Sequence, residues 1–223
     1  MKVRLFSKNI KICSYFDLTN SFLRFYEIKS QSIDEIVFVK GYNGISRFHE
    51  DRKVVYVNYK ENAYQNLIYF LRNAYAINST ENLILHASAI SKDNKNAIVF
   101  IGPPSSGKTT ILRKSLDFGY SYIAEDLLFI KDEFCYLSPA FKIMDISKIA
   151  YSARIEKMFY INFKYGSKLV LFEMDIEDKK RAIFESLYNT RALVYNFETF
   201  KKLLEIPLYY TMYSNCEDLL RLF

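Results

Sequence analysis

The chain has 223 residues, half of them hydrophobic, which is enough for one large domain or two small ones with a real core. Its 31 basic and 25 acidic residues leave a net charge of +6 with no long Lys/Arg block, so the excess reads as a solvated surface and a nucleic-acid partner is not expected. Three widely spaced cysteines (Cys13, Cys135, Cys216) suit buried thiols in a reducing cytoplasm rather than a disulfide or metal framework. No run of about eighteen uncharged apolar residues and no signal-peptide pattern is present, so no membrane partner is expected either.

Nineteen Tyr and nineteen Phe with no Trp sit mostly in alternating runs such as Val54-Val55-Tyr56-Val57, a pattern of sheet core rather than base stacking. Taken in chain order, residues 1–60 predict short strands at Lys2–Phe6, Ile10–Phe16, Phe22–Ile28, Glu35–Lys40 and Lys53–Tyr59, with turns at Asn43-Gly44 and Glu50-Asp51. Leu67, Ile68, Leu71 and Tyr75 fall at helical spacing and predict a helix over Glu61–Ile77. Strands at Leu83–Ile90 and Ala97–Ile101 are joined by the polar turn Lys92–Asn96. That link is long enough for a hairpin and too short for a parallel crossover, so the second strand should have an antiparallel neighbour preceding it in sequence. A helix is predicted over Lys108–Phe118, stopping at Gly119. Strands Ser121–Ala124 and Leu127–Lys131 flank Glu125-Asp126, and Phe134–Leu137 returns after Asp132-Glu133. The remainder predicts a strand at Lys168–Glu173, helical stretches near Glu177–Tyr188 and Thr190–Leu204, a strand at Leu208–Tyr213 and a short C-terminal helix.

The strongest chemical signal is Gly102-Pro103-Pro104-Ser105-Ser106-Gly107-Lys108-Thr109. It satisfies G-x-x-x-x-G-K-[ST] between an apolar strand and a helix, the context in which that pattern cradles phosphates. Glycines let backbone N–H groups turn inward, and the helix beginning near Lys108 adds its positive end. Lys108 supplies a charge for the outer phosphates, and the Thr109 hydroxyl can sit on Mg²⁺. Glu125-Asp126 follows a short apolar strand, where a nucleotide site needs a carboxylate to hold the metal, orient the nucleophile or accept a proton. Adjacent residues on a strand face opposite sides, so both can reach one site only if the strand ends or bends there. His86, mid-strand, would on its own read as a hydrogen-bonded core histidine; His49 lies in a polar loop without such context.

Together, Leu85-His86-Ala87-Ser88-Ala89-Ile90, Ile98-Val99-Phe100-Ile101-Gly102, the phosphate loop, Phe118-Gly119 and Ile123-Ala124-Glu125-Asp126 resemble the catalytic core of HPr kinase/phosphorylase. The closer resemblance is to the shorter HPr kinase-like proteins of peptide-tailoring pathways, lasso-peptide kinases among them. It covers about Glu81 to Tyr136, with an echo at Ile206-Pro207-Leu208-Tyr209. It implies a single α/β domain spanning residues 1–223. In it a strand-rich N-terminal portion (residues 1–80) joins a P-loop core (residues 81–223) of the type shared with phosphoenolpyruvate carboxykinase. It further implies ATP and Mg²⁺ bound at residues 102 to 110, Thr110 included. Asp126 would be the base, Thr109, Glu125 and Asp126 would lie near the metal, and Lys108 and His86 would assist catalysis. The chain departs from the family in having Glu125 for the first aspartate, Thr110 for an acid after the loop, and no later Arg-Gly-rich segment. The phosphorylase reaction and HPr itself are therefore not expected. Lys142, Arg154 and Arg191 are candidates for a transition-state cation. The implied activity is transfer of the ATP γ-phosphoryl group to a hydroxyl, with Ser of a peptide or protein as the acceptor. A nucleotide-binding regulatory protein of peptide maturation and a small-molecule kinase stay open as alternatives, as does homo-oligomerisation.

Overall fold

The computed structural model describes residues 1–5, 8–14, 29, 31–42, 46–49, 53–58, 63–76, 79–138 and 146–223. The predicted strand at 22–28 and both predicted turns, at 43–44 and 50–51, lie outside them. The chain divides into two compact units, Met1–Ser79 and Thr80–Phe223. Among the described residues, no helix is long and apolar enough to cross a membrane.

The first unit is a five-stranded sheet built from β1 (Lys2–Leu5), β2 (Lys8–Ser14), β3 (Glu35–Tyr42), β4 (Arg47–His49) and β5 (Val54–Asn58), in the order β1-β2-β3-β5-β4. The pairs β2/β3 and β3/β5 are parallel; β1/β2 and β4/β5 are antiparallel. Alternation sets the core face: Val37 and Val39 are buried while Ile36 and Phe38 face outward. Helix α1 (Ala63–Ala76) packs against β5 and buries Leu67, Ile68 and Leu71, three of the residues whose spacing predicted it. His49 belongs to β4, so its assignment to a loop is corrected.

The second unit is a mixed α/β structure around a nine-stranded sheet. Its strands are β6 (Leu83–Leu85), β7 (Ser88–Ser91), β8 (Asn96–Ile101), β9 (Ser121–Ala124), β10 (Leu128–Lys131), β11 (Phe134–Tyr136), β12 (Ser152–Phe163), β13 (Val170–Glu173) and β14 (Leu208–Tyr213). Seven follow the order β6-β10-β11-β12-β8-β7-β9; β14 pairs with β12, and β13 with β14. As the polar turn required, β7 precedes β8 as its antiparallel neighbour, with Ser88 opposite Phe100. On its other side β8 is parallel to β12, with Ile101 beside Tyr160.

The long predicted strand over 83–90 is broken at His86-Ala87, and this break shapes the whole sheet. Leu85 pairs with Leu128 and Leu83 with Ile130; beyond the break, Ala89 pairs with Ala124 and Ser91 with Ser121. The two segments thus form one antiparallel ribbon that loses its ladder where His86 faces Glu125–Leu127. In the strand order β6 and β7 stand five places apart, roughly 24 Å if the sheet were flat. Leu85 and Ser88 are only three residues apart, a span of at most about 11 Å. The sheet must therefore curl, and the two kinked strands are the seam that joins its ends.

The sequence reading did not include β12, the longest strand. Its outer half alternates, with Ala153 and Ile155 buried, but the register with β8 shifts between Ile155 and Lys157. After the shift Met158 and Phe159 are both buried, which hides the period-two signature. The predicted helix over 190–204 is also divided, into a 3-10 turn (Thr190–Val194) and α4 (Phe197–Glu205). Between them the Asn196 side-chain amide donates to the carbonyls of Ala192 and Thr80, at 2.9 and 2.8 Å.

Helix α2 (Lys108–Asp117) packs against β7, β9 and the C-terminal helix α5 (Cys216–Leu220), burying Ile111, Leu112 and Ser115. It stops in a Schellman motif: the Tyr120 N–H donates to the Ser115 carbonyl at 3.1 Å, and the Gly119 N–H to that of Leu116 at 2.9 Å. Helix α3 (Ile176–Glu185) packs on α4 and begins at Asp175, whose carboxylate accepts from the Asp178 N–H at 2.9 Å.

Candidate functional site

The loop between β8 and α2 is held in an unusual backbone shape by its neighbours. Gly102 has φ +143°, and a Cβ there would stand 2.6 Å from the Ile161 carbonyl oxygen on β12. Gly107 has φ +96°, and a Cβ there would overlap the Tyr213 hydroxyl. Only glycine fits either place. Ser105, with φ +64°, and a 3.2 Å hydrogen bond from the Ser106 N–H to the Pro103 carbonyl complete the turn.

Tyr213, the last residue of β14, braces this loop from below. Its ring packs edge-on against Phe163, and its hydroxyl donates to the Ser106 carbonyl at 3.0 Å. Burial pushes its phenol far above the ordinary tyrosine range, so it stays a neutral donor. Sequence reasoning did not include Tyr213; the closing strand was legible, but its contact with a loop some hundred residues earlier was not.

Gly107 is the N-cap of α2 and, having no side chain, caps none of the helix's first N–H groups. Lys108 is buried, and its ammonium reaches back to the carbonyls of Gly102 and Pro103 at 2.6 and 3.0 Å. A positive charge and a helix N-terminus thus meet at this loop. Above it lies a cavity of about 400 Å³, lined by His86, Ser88, residues 104–110 and Asp126.

The far wall comes from the kinked ribbon. Asp126 has φ +72°, and the Leu127 N–H donates to the Glu125 carbonyl at 2.9 Å, a γ-turn of the rare positive-φ kind. This sharp turn separates the two acids: Asp126 lines the cavity, whereas Glu125 is fully buried and does not. His86 Nε2 lies 2.6 Å from Asp126 Oδ1. The His86 backbone is itself fixed, its N–H donating to the Ser186 carbonyl at 2.7 Å. Nearby, the Asn189 side chain accepts from Ile84 N–H at 2.8 Å and donates to the Asn82 carbonyl at 3.0 Å. Backbone strain beside a histidine–carboxylate contact is an arrangement found at functional sites.

Of the residues singled out from the sequence, His86, Lys108, Thr109, Thr110, Asp126 and most of the loop share one cavity; Gly102, Pro103 and Glu125 are not among the residues that line it. The candidate cations do not join them. Arg154 pairs with Glu133 at 2.7 Å and stands beside Asn96, at the end of β8 opposite the loop. Arg191 is exposed in the 3-10 turn and off the cavity, and Lys142 lies outside the described residues. Among the described residues no cluster of three or more His, Cys, Asp or Glu forms a metal cage. Thr109 with Asp126 still suits Mg²⁺, which keeps its waters and binds through one or two carboxylates plus phosphate oxygens.

No protein-family model matches the chain, and no curated protein does. Among solved structures, the HPr(Ser) kinase/phosphatase from Coxiella burnetii is similar over 62% of this chain and 90% of its own, at 10% identity and a TM-score of 0.37. That likeness is too distant to carry any argument about activity.

Proposed function

We propose that the second unit binds ATP with Mg²⁺ and transfers the γ-phosphoryl group to a hydroxyl, with Ser of a peptide or protein as the acceptor class. The observation that carries this reading is the meeting of the Gly102–Thr109 loop with the His86–Asp126 contact across one cavity. The loop amides and Lys108 hold the phosphates. Thr109 and Asp126, which both line the cavity, would hold the metal, and it would neutralise phosphate charge when bound. Asp126 accepts the acceptor's proton, and His86 holds its carboxylate in place.

A second reading, a nucleotide-binding regulatory protein without transfer, draws on one feature: Lys108 is the only Lys or Arg among the described residues that line the cavity. One set of measurements separates the readings. Calorimetry should show Mg²⁺-dependent ATP binding that falls at least about tenfold in Lys108→Ala, since a charged hydrogen bond contributes roughly 1.5–3 kcal/mol. Mass spectrometry of candidate peptides incubated with the protein and ATP should show a gain of one phosphoryl group. Unchanged affinity in a folded Lys108→Ala variant rejects nucleotide binding at this loop. Binding without any phosphorylated product favours the regulatory reading.

A further inference from the structure

A hydroxyl buried without a hydrogen-bond partner costs stability and calls for an explanation. Ser88 and Ser106 both have such hydroxyls: each is at least nine-tenths buried, and neither Oγ has a partner among the described residues. Both residues line the same cavity. Ser138 shares the property, but it adjoins residues 139–145, which lie outside the described set, and it does not line the cavity. Ser106 is part of the loop, its Oγ turned back over Gly102. Ser88 is different, because it lies outside the loop, on β7 between β8, which leads into the loop, and β9, whose Ala124 pairs with Ala89 two residues before Asp126. It opens β7 immediately after the kink at His86 and pairs with Phe100, two residues before the loop begins.

The position of Ser88 decides which part of a nucleotide it can meet. Inner phosphates belong against the loop amides and the start of α2. The outermost phosphoryl group must face the wall that carries Asp126, because that carboxylate has to reach the acceptor hydroxyl. Ser88 belongs to that wall. We infer that Ser88 Oγ is a donor to an oxygen of the terminal phosphoryl group of a nucleoside triphosphate, which makes it a residue that distinguishes triphosphate from diphosphate. This rests on the nucleotide reading above. A buried donor facing a charged acceptor is stronger than one in water. In the ligand-free protein the same hydroxyl is a liability, an exchange of stability for function that is common at binding sites.

The test is Ser88→Ala, a small change beside Ala87 and Ala89 that removes the hydroxyl alone. Calorimetry with Mg²⁺ would measure affinity for ADP and for the non-hydrolysable β,γ-imido analogue of ATP, and thermal unfolding would be followed without ligand. The expected result has three parts. Affinity for the triphosphate analogue falls about tenfold or more, as for loss of a hydrogen bond to a charged group. Affinity for ADP changes by less than about threefold, since the diphosphate lacks the terminal group and keeps its loop contacts. The melting temperature without ligand stays level or rises. An equal loss for both nucleotides, or no loss for either, overturns the assignment while leaving the nucleotide reading intact. A lower melting temperature without ligand overturns it too, because the hydroxyl would then have a protein partner. If the unaltered protein binds neither nucleotide, the functional reading fails and this inference with it.

Discussion

Replacing Asp126 by Asn is the sharpest perturbation of the proposed chemistry. Asn has nearly the same size and shape as Asp, so it adds little to the strain that the +72° φ already imposes at this position. Ala would instead confound strain with lost chemistry. The amide oxygen can still accept from His86 Nε2, now 2.6 Å from Asp126 Oδ1, so the contact that closes the kink survives. What disappears is the negative charge and the basicity. If Asp126 accepts the acceptor's proton, phosphoryl transfer should fall by about 10²–10⁴-fold, a barrier increase of about 2.7–5.4 kcal/mol. ATP affinity should change far less, because Lys108 and the loop still hold the phosphates. The assay is the rate of γ-phosphoryl transfer from ATP and the calorimetric affinity, each measured across a Mg²⁺ series. Glu125→Gln is the control, since Glu125 is buried and off the cavity lining. Its turnover defect should be smaller than that of Asp126→Asn at every Mg²⁺ concentration. Near-normal turnover by Asp126→Asn with Glu125→Gln inactive at every Mg²⁺ concentration would refute the assignment. Normal turnover by both would remove the mechanism.

Two further predictions concern the scaffold. Gly107→Ala should abolish ATP binding, because the new methyl overlaps the Tyr213 hydroxyl and the +96° φ disfavours any side chain; adding Tyr213→Phe removes the overlapping atom, so the double variant should bind ATP better than Gly107→Ala alone, and no recovery in calorimetry would show that Tyr213 does not set the loop. Burial pushes the Cys135 thiol from 9.0 up to about 12, so the folded state keeps a proton that the unfolded state loses, and stability should fall as pH rises from 9.0 toward 12. Circular dichroism across that range should show a shallower loss in Cys135→Ala, and an unchanged slope would exclude this thiol as a contributor.

Local chemistry made some parts of this protein legible from the sequence. The glycines at 102 and 107, the lysine between them and Thr109, and the apolar flanks all lie within a dozen residues, so their pattern is readable without a fold. The short polar turn at 92–96 likewise dictated a hairpin, and β7 lies antiparallel to β8 as it required. Helix α2 was marked by its stop at Gly119, with the observed end at Asp117 one residue short of the predicted one. Elements whose signal is non-local were not legible. A register shift disguises β12, and it becomes a strand because β8, β11 and β14 pair with it. Tyr213 becomes part of the loop's support only when β14 lies parallel to β12.

The acidic pair shows the division most clearly. Sequence alone placed Glu125 and Asp126 at a strand end and required a bend if both were to reach one site. Tertiary structure decided that the bend is a γ-turn, that Asp126 faces the cavity and that Glu125 is buried. It also brought His86 to Asp126 across forty residues of chain. The reason lies in the curl of the sheet. Two strands that must pass from one end of the strand order to the other break their ladder at the same level, and the residues freed at that break are the ones able to turn a side chain toward the loop.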